Sequence, residues 1–505
     1  MSISVAAAAV LGVDAVRVDV EVDLLRRLPS VSIVGLPAPA VRESADRVRS
    51  AMVASGFEFP RARVVVSLAP ADLRKEGTGF DLPIAIGILC AAGHVDHAVA
   101  ARHLFFGELA LSGELRAGRG AIAVACLARS EGLPDLVVPE ACAPEAMLVD
   151  GVRVHPAGSL REVVDRLNGG PPRIRSRPNR PEAPTSGPDL ADVRGQLLAR
   201  EALEVAAAGG HNLLMIGSPG CGKTMLASRL PGVLPPLTRS EALECTRIHS
   251  VAGLHAPESG ILTARPFRAP HHSVSPAGLV GGASLRPGEA TLAHQGVLFL
   301  DELPEFPRHT RECLRAPLED RRVVLVRSSG VVVLPASFML VAAANPCPCG
   351  HLGHPTRPCT CLPNDRLRYQ SRLSGPLFDR IDLRVELQPV TGSELLAGPP
   401  GESSADVRGR VIRARERQLA RYGGRVGCNA ELGAEDVRHA VDAEPGALRV
   451  LQSQMDTGLL SARVANRLLK VARTLADLDD APRVGVIHLH RAILLRFEPA
   501  VAEAA

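Results

Sequence analysis

Gly217-Ser218-Pro219-Gly220-Cys221-Gly222-Lys223-Thr224 is the stretch that decides the fold of this 505-residue chain. It reads G-x-x-x-x-G-K-T, after the apolar run 212–216 and before the helical run 225–230. A strand that enters a Gly-rich turn at a helix N-terminus points backbone N–H groups inward, where they cradle phosphate. The eight residues are therefore the expected ATP-binding loop. Lys223 is placed to reach the β- and γ-phosphates, and the Thr224 hydroxyl to bind Mg²⁺. Further along, Gly296-Val-Leu-Phe-Leu-Asp301-Glu302 ends an apolar strand in two carboxylates. In an open parallel sheet the C-terminal strand ends deliver such groups into a crevice. Asp301 is expected to hold Mg²⁺, directly or through water, and Glu302 to polarise the attacking water as general base. Strand-like runs 213–216, 297–300 and 338–342 alternate with helical stretches, as a mostly parallel α/β sheet requires.

The flanks divide the chain further. Residues 169–188, GGPPRIRSRPNRPEAPTSGP, hold almost nothing to bury, and their prolines keep the segment extended, so they read as a linker. Ahead of it, 1–168 reads as an α+β domain. Strands are expected at 16–22 and 63–68, and helices at 39–55, with Pro39 at a first helical position, and at 81–92. The apolar start 5–13 reads as a strand rather than a leader, because no Lys or Arg precedes it and Asp14 follows at once. Behind the linker come an ATPase core, 189–395, and a helical C-terminal domain, 396–505. There Leu460, Val464, Leu468, Val471, Leu475 and Leu478 recur at three- and four-residue intervals.

Composition excludes several classes. The longest apolar stretch, 82–93, is too short to cross a bilayer, so no membrane partner is expected and the compartment is read as cytoplasmic. A net charge of +4 excludes a globally basic nucleic-acid coat, while leaving room for a basic groove or pore. Aromatics are 3% of residues, with no Trp, so surfaces for stacking bases are scarce. Of 58 basic residues, three are lysines (Lys75, Lys223 and Lys470), which singles out Lys223 as one that arginine does not replace.

Four of the eleven cysteines fall together as Cys347-x-Cys349-x₉-Cys359-x-Cys361. Two short thiol pairs can supply the tetrahedral ligands of a structural Zn²⁺, and four thiolates leave no open position for catalysis. His351 and His354 are alternative ligands; a reduced loop without metal is the other reading. Residues 265–290 are rich in Gly, Pro and Ser and read as a projecting loop. His271 and His272 lie in it, but adjacent side chains point two ways and make a poor metal pair, so they receive no role. Residues 321–334, with Ser328-Ser-Gly330 at the turn, read as a β-hairpin on which Arg321, Arg322 and Arg327 can contact DNA phosphates.

Taken in order, Asp192-Val-Arg-Gly195-Gln196, the phosphate loop, 296–302, Asn345 and 375–383 resemble the magnesium-chelatase-like branch of the AAA+ ATPases. The closest likeness is to its YifB/ComM group. The resemblance runs nearly end to end. It implies a homo-oligomeric ring, usually hexameric, and, for ComM-type members, DNA branch migration during natural transformation, with recombination proteins as possible partners. By the same resemblance Asn345 is the sensor that orients the attacking water, and Arg380 is the arginine finger reaching a neighbouring subunit's γ-phosphate. Arg463 is the second sensor, and Gly195 and Gln196 sit by the adenine. Residues 77–84 and 107–115 are similar to a Lon-protease-like domain, with a fold related to a ribosomal protein. The Ser that a Lon peptidase needs is missing, and the expected Lys position falls at Ile122, so proteolysis is disfavoured. Two other activities share the core motifs: the ATPase subunit of a metal-inserting chelatase, and an ATPase that remodels protein.

Overall fold

The computed structural model describes residues 2–496 except positions 76, 78, 172–186, 283–284, 328–329, 391, 393–395, 397–400 and 459. Five parallel strands form the central sheet, in the order Phe267–Arg268, Val297–Leu300, Met339–Ala344, Leu213–Gly217, Leu383–Leu387. All residues of the three middle strands are buried, as expected of a parallel sheet covered on both faces. Leu213 and Met215 join Phe299, Val341 and Ala343 in a core shared with helices Leu197–Gly209 and Lys223–Val233. Leu214 and Ile216 face the other way, onto Leu298, Leu340, Phe306 and Phe378. The register pairs Ile216 with Ala344 and Leu300 with Ala342. The strands therefore end at the same edge of the sheet, with Asp301 set two residues below Gly217 and Asn345.

Helices Ser404–Tyr422, Ala462–Leu478 and Val486–Leu494 pack into the same core as helix Leu197–Gly209. The helical periodicity read from Leu460 onward starts as a helix at Ala462, because Ser461 caps it by accepting the Val464 N–H at 3.4 Å.

The N-terminal region is a seven-stranded mixed sheet, ordered Ser30–Val34, Arg63–Ala69, Asp14–Leu25, Ile3–Leu11, His103–Phe105, Asp135–Pro139, Arg153–Ala157. Helix Asp81–Ala91 is buried from Asp81 to Cys90 on one face, and helix Ala121–Ser130 covers the other. The single helix expected over 39–55 is two, Pro39–Arg42 and Ser44–Ala54. Arg47 accounts for the break: its guanidinium donates to the Ala40 carbonyl at 2.9 Å, the acceptor that a continuous helix would offer to Ser44. Most of the linker read at 169–188 lies outside the described residues. The N-terminal sheet nonetheless docks directly on the ATPase core. Val13 packs with Ile248, Leu292, Val323, Leu325, Val332 and Leu334. Gly12, at φ 65°, fits because a Cβ there would lie 2.5 Å from Val332 Cγ1.

Candidate functional site

The phosphate loop turns out of strand Leu213–Gly217 through Gly220 (φ 82°) and Gly222 (φ 94°), both in the left-handed region that favours glycine. Burial pushes the Cys221 thiol up, so it fills the loop as a neutral, apolar group. Gln196 braces the loop from outside. Its Nε2 donates to the Cys221 carbonyl at 3.2 Å and to the Gln388 carbonyl at 2.6 Å, beside Gly195 at φ 65°.

The functional side chains converge here. Lys223 Nζ donates to the Gly217 carbonyl at 2.5 Å, the Ser218 carbonyl at 3.1 Å and Asn345 Oδ1 at 3.1 Å. Thr224 Oγ1 donates to Asp301 Oδ2 at 2.8 Å. A hydroxyl and a carboxylate meeting at the first turn of a helix are the hard oxygen donors that suit Mg²⁺. A Cβ at Gly220 would meet nothing within 4 Å, so the mouth of the loop is open to a phosphate chain. The residues present thus fit an ATP–Mg²⁺ pair.

Glu302 holds φ 52°, uncommon for a residue with a side chain, and its N–H donates to Asp301 Oδ1 at 3.0 Å. Its carboxylate is half-exposed, and His272 Nδ1 lies 3.7 Å from Oε2. The expectation that His271 and His272 point apart is wrong. Their ring centroids are 4.0 Å apart, tilted by 35°, and His272 also meets the edge of Phe306 at 6.4 Å. The edge strand Phe267–Arg268 delivers His272 beside the strand that ends at Leu300, just before Asp301. Two residues are too short for a strand period to show, which is why sequence reasoning passed over this histidine. The described residues of 265–290 are otherwise folded rather than projecting: Pro276–Val280 and Glu289–Leu292 are helical, and Leu279 and Ala290 are core residues.

The four cysteines also assemble. Cys347 Sγ lies 3.4 Å from Cys349 Sγ and 3.6 Å from Cys359 Sγ, and the Cys349–Cys359 separation is 3.6 Å. All four sulfurs fall within 4.8 Å of one another. Tetrahedral Zn–S bonds of about 2.3 Å place sulfurs about 3.8 Å apart, so the cluster fits zinc. The N–H groups of Leu352 and Cys349 donate to Cys347 Sγ and Cys361 Sγ, each at 3.3 Å. Burial pushes the Cys347 thiol up to about 12. His354 Nδ1 accepts instead from the N–H groups of Thr356 and Arg357, both at 3.2 Å, and among the described residues it is the four thiols that gather as a ligand set. A second group, His103, Asp135 and His155, is already satisfied: Arg153 donates to both Asp135 oxygens at 2.7 Å.

Residues 189–395, 20–142 and 401–496 match three family descriptions: magnesium chelatase, subunit ChlI; subunit ChlI of Mg-chelatase; and magnesium chelatase, subunit ChlI C-terminal. YifB of Escherichia coli K12 is 43% identical over 491 residues, covering 97% of this chain and 96% of its own. Competence protein ComM of Haemophilus influenzae is 42% identical over 495 residues, covering 96% and 95%. A protein of Mycobacterium tuberculosis H37Rv is 43% identical over 495 residues, covering 97% of both chains. The chain belongs to the YifB/ComM family. It is therefore a magnesium-chelatase-like AAA+ ATPase, of a class that works with ATP and Mg²⁺ and commonly oligomerises.

Not every expected residue of this YifB/ComM chain joins the phosphate loop. The Arg380 carbonyl accepts from Asn212 Nδ2 at 2.9 Å, at the start of strand Leu213–Gly217, whereas the loop leaves its end. At ~3.3 Å per residue the two lie roughly 16 Å apart. The Arg380 guanidinium is buried against Glu319 and the Pro376 carbonyl. Arg463 is exposed and pairs with Asp379 at 3.4 Å, next to Arg380. Both arginines thus sit together, away from their own loop. Arg321 is paired with Glu431, so it is not free for phosphate as expected. Arg322 is exposed, and the Arg327 side chain lies outside the described residues. Strands Arg322–Arg327 and Gly330–Pro335 do form the expected hairpin, but its solvent face carries Val324, Val326, Val331 and Val333. Among the described residues no helix is long and apolar enough to cross a membrane.

Proposed function

We propose that the chain assembles into an ATP-driven ring, a hexamer by family habit, that moves on DNA as a helicase or branch-migration motor. The observation that carries the ring is the distance between Arg380 and its own phosphate loop. An arginine too far to reach its own γ-phosphate can serve a neighbour's, with Arg463 beside it. Such fingers neutralise transition-state charge and accelerate hydrolysis by ~10³–10⁵. Lys223 binds the β- and γ-phosphates, and Asn345 and Glu302 position and polarise the water. Mg²⁺, held by Thr224 and Asp301, would offset phosphate charge, and zinc on the four thiols would supply structure only. Gly195 and Gln196 line the nucleotide's approach.

DNA as the track is supported by the relative whose name is competence protein ComM. Arg322 on the hairpin is the exposed cation from which backbone contacts would start. The helical C-terminal domain acts as the lid, and the N-terminal sheet as a Lon-like docking module without a catalytic dyad, meeting substrate or recombination proteins in the cytoplasm. The test is ATP hydrolysis with and without branched or single-stranded DNA, at low and moderate salt. Stimulation and salt-sensitive binding are expected; hydrolysis that ignores DNA at every salt, with no binding, overturns the DNA motor. A rate unchanged by Lys223→Ala overturns the nucleotide site itself.

A further inference from the structure

Residues 351–362 form no strand or helix, and none of them is buried, so no apolar core holds this segment in place. What the segment does have is Cys359 and Cys361, drawn onto Cys347 and Cys349. Its order therefore depends on the thiol cluster, as in small domains stapled by a metal. The cluster in turn is built into the nucleotide site from three sides. Cys347 follows Asn345 by two residues, and Asn345 Oδ1 accepts from Lys223 Nζ at 3.1 Å. The Gly350 N–H closes a turn onto the Cys347 carbonyl at 3.0 Å, which presses Gly350 against the Pro219 ring of the phosphate loop. A Cβ at Gly350 would lie 2.6 Å from Pro219 Cδ and 2.8 Å from Cγ, and φ is 80° there. Beyond the cluster, helix Pro363–Ser371 brings the buried Tyr369 hydroxyl to the Asn345 backbone.

We propose that the four-cysteine module is the outer support of the phosphate loop, so that zinc bound by Cys347, Cys349, Cys359 and Cys361 sets the chain's affinity for nucleotide. The inference rests on reading Gly217–Thr224 as the nucleotide loop, and it makes the ATPase responsive to metal supply through a site that touches no phosphate.

The test uses the full chain, with zinc counted by metal analysis and binding of a fluorescent ADP analogue measured without turnover. The unmodified protein is expected to carry zinc on this cluster. Cys359→Ser is expected to lose it and to bind the analogue 10- to 100-fold more weakly, the scale on which supporting groups act. Gly350→Ala keeps all four thiols and so is expected to keep zinc, yet to weaken the analogue by displacing Pro219. It separates loop support from general unfolding. Zinc-free Cys359→Ser that binds the analogue as tightly as the unmodified chain overturns the proposal, as does an unmodified chain that binds tightly without zinc. Binding unaffected by Lys223→Ala would instead fault the nucleotide reading, so the two failures are distinct.

Discussion

Lys223 is one of three lysines, and each of the three ends on backbone carbonyls. Lys223 reaches Gly217 and Ser218, Lys75 reaches Pro70, and Lys470 reaches Ala430 and Leu432. A compact ammonium reaches these carbonyls as a point donor; a planar guanidinium is larger and donates in a fixed fork, so it does not reproduce the Lys223 contacts inside the phosphate loop. The sequence alone explained Lys223 through its motif; the other two needed the loops they tie. Lys223→Arg is accordingly expected to lose nucleotide binding nearly as completely as Lys223→Ala, measured by titration with a fluorescent nucleotide. His272 was the residue the motifs did not reveal, because its partner Glu302 is 30 positions away and only the parallel pairing of strands joins them. Glu302→Gln should slow hydrolysis by ~10²–10⁴. His272→Ala should slow it by up to about 10²-fold through misplaced Glu302, with nucleotide affinity unchanged. A His272→Ala enzyme whose affinity falls while kcat holds would remove that histidine from the positioning of Glu302.

Among the elements, the hairpin Arg322–Arg327 and Gly330–Pro335 shows what alternation can and cannot say. The Ser328-Ser-Gly330 turn between two apolar runs located the hairpin, but Val fills both faces, so the pattern could not tell which one is buried. Packing decides it: Val323, Leu325, Val332 and Leu334 turn onto Val13 and Ile248, leaving the other four valines outside. Leu334→Ala should therefore cost about 2–5 kcal/mol. Val331→Thr, on the exposed face, should stay within ~0.5 kcal/mol. Both are read by chemical denaturation. The same geometry divides the arginines. Arg322→Ala should weaken DNA binding and shallow its salt dependence by about one ion. Arg321→Ala should leave that slope alone, since its guanidinium is committed to Glu431. Residues 265–290 misled for a related reason. Gly288 looks like loop punctuation, yet a Cβ there would collide with the Gly281 backbone at 2.5 Å, so it marks close packing.

Over the whole molecule, one contact ties the parts of the chain together, and the proposed ring implies another. The first joins the N-terminal sheet to the ATPase. Buried Glu145 accepts from the Ile122 N–H at 3.1 Å and from the Ser250 hydroxyl of helix Arg239–Ala252. Burial raises its pKa. The folded state therefore favours the protonated acid, and this stability is present below the ordinary carboxylate range and lost as pH rises through the raised value. Glu145→Gln keeps the acceptor without the charge, so its melting temperature should exceed the unmodified protein's at neutral pH and converge with it near pH 4. The second is the contact that the proposed ring would make between subunits, Arg380 on a neighbour's phosphate loop. Lys223→Ala cannot hold nucleotide, and Arg380→Ala cannot complete a neighbour's site, so each alone should hydrolyse little ATP. In a mixed ring, however, an Arg380→Ala subunit keeps an intact phosphate loop and can borrow Arg380 from a Lys223→Ala neighbour. Hydrolysis should therefore reappear on mixing the two inactive proteins under conditions where subunits exchange. A mixture as inactive as its components, with mixed rings confirmed by differential tags, would mean that Arg380 serves its own chain's stability through Glu319 rather than a neighbour's phosphate.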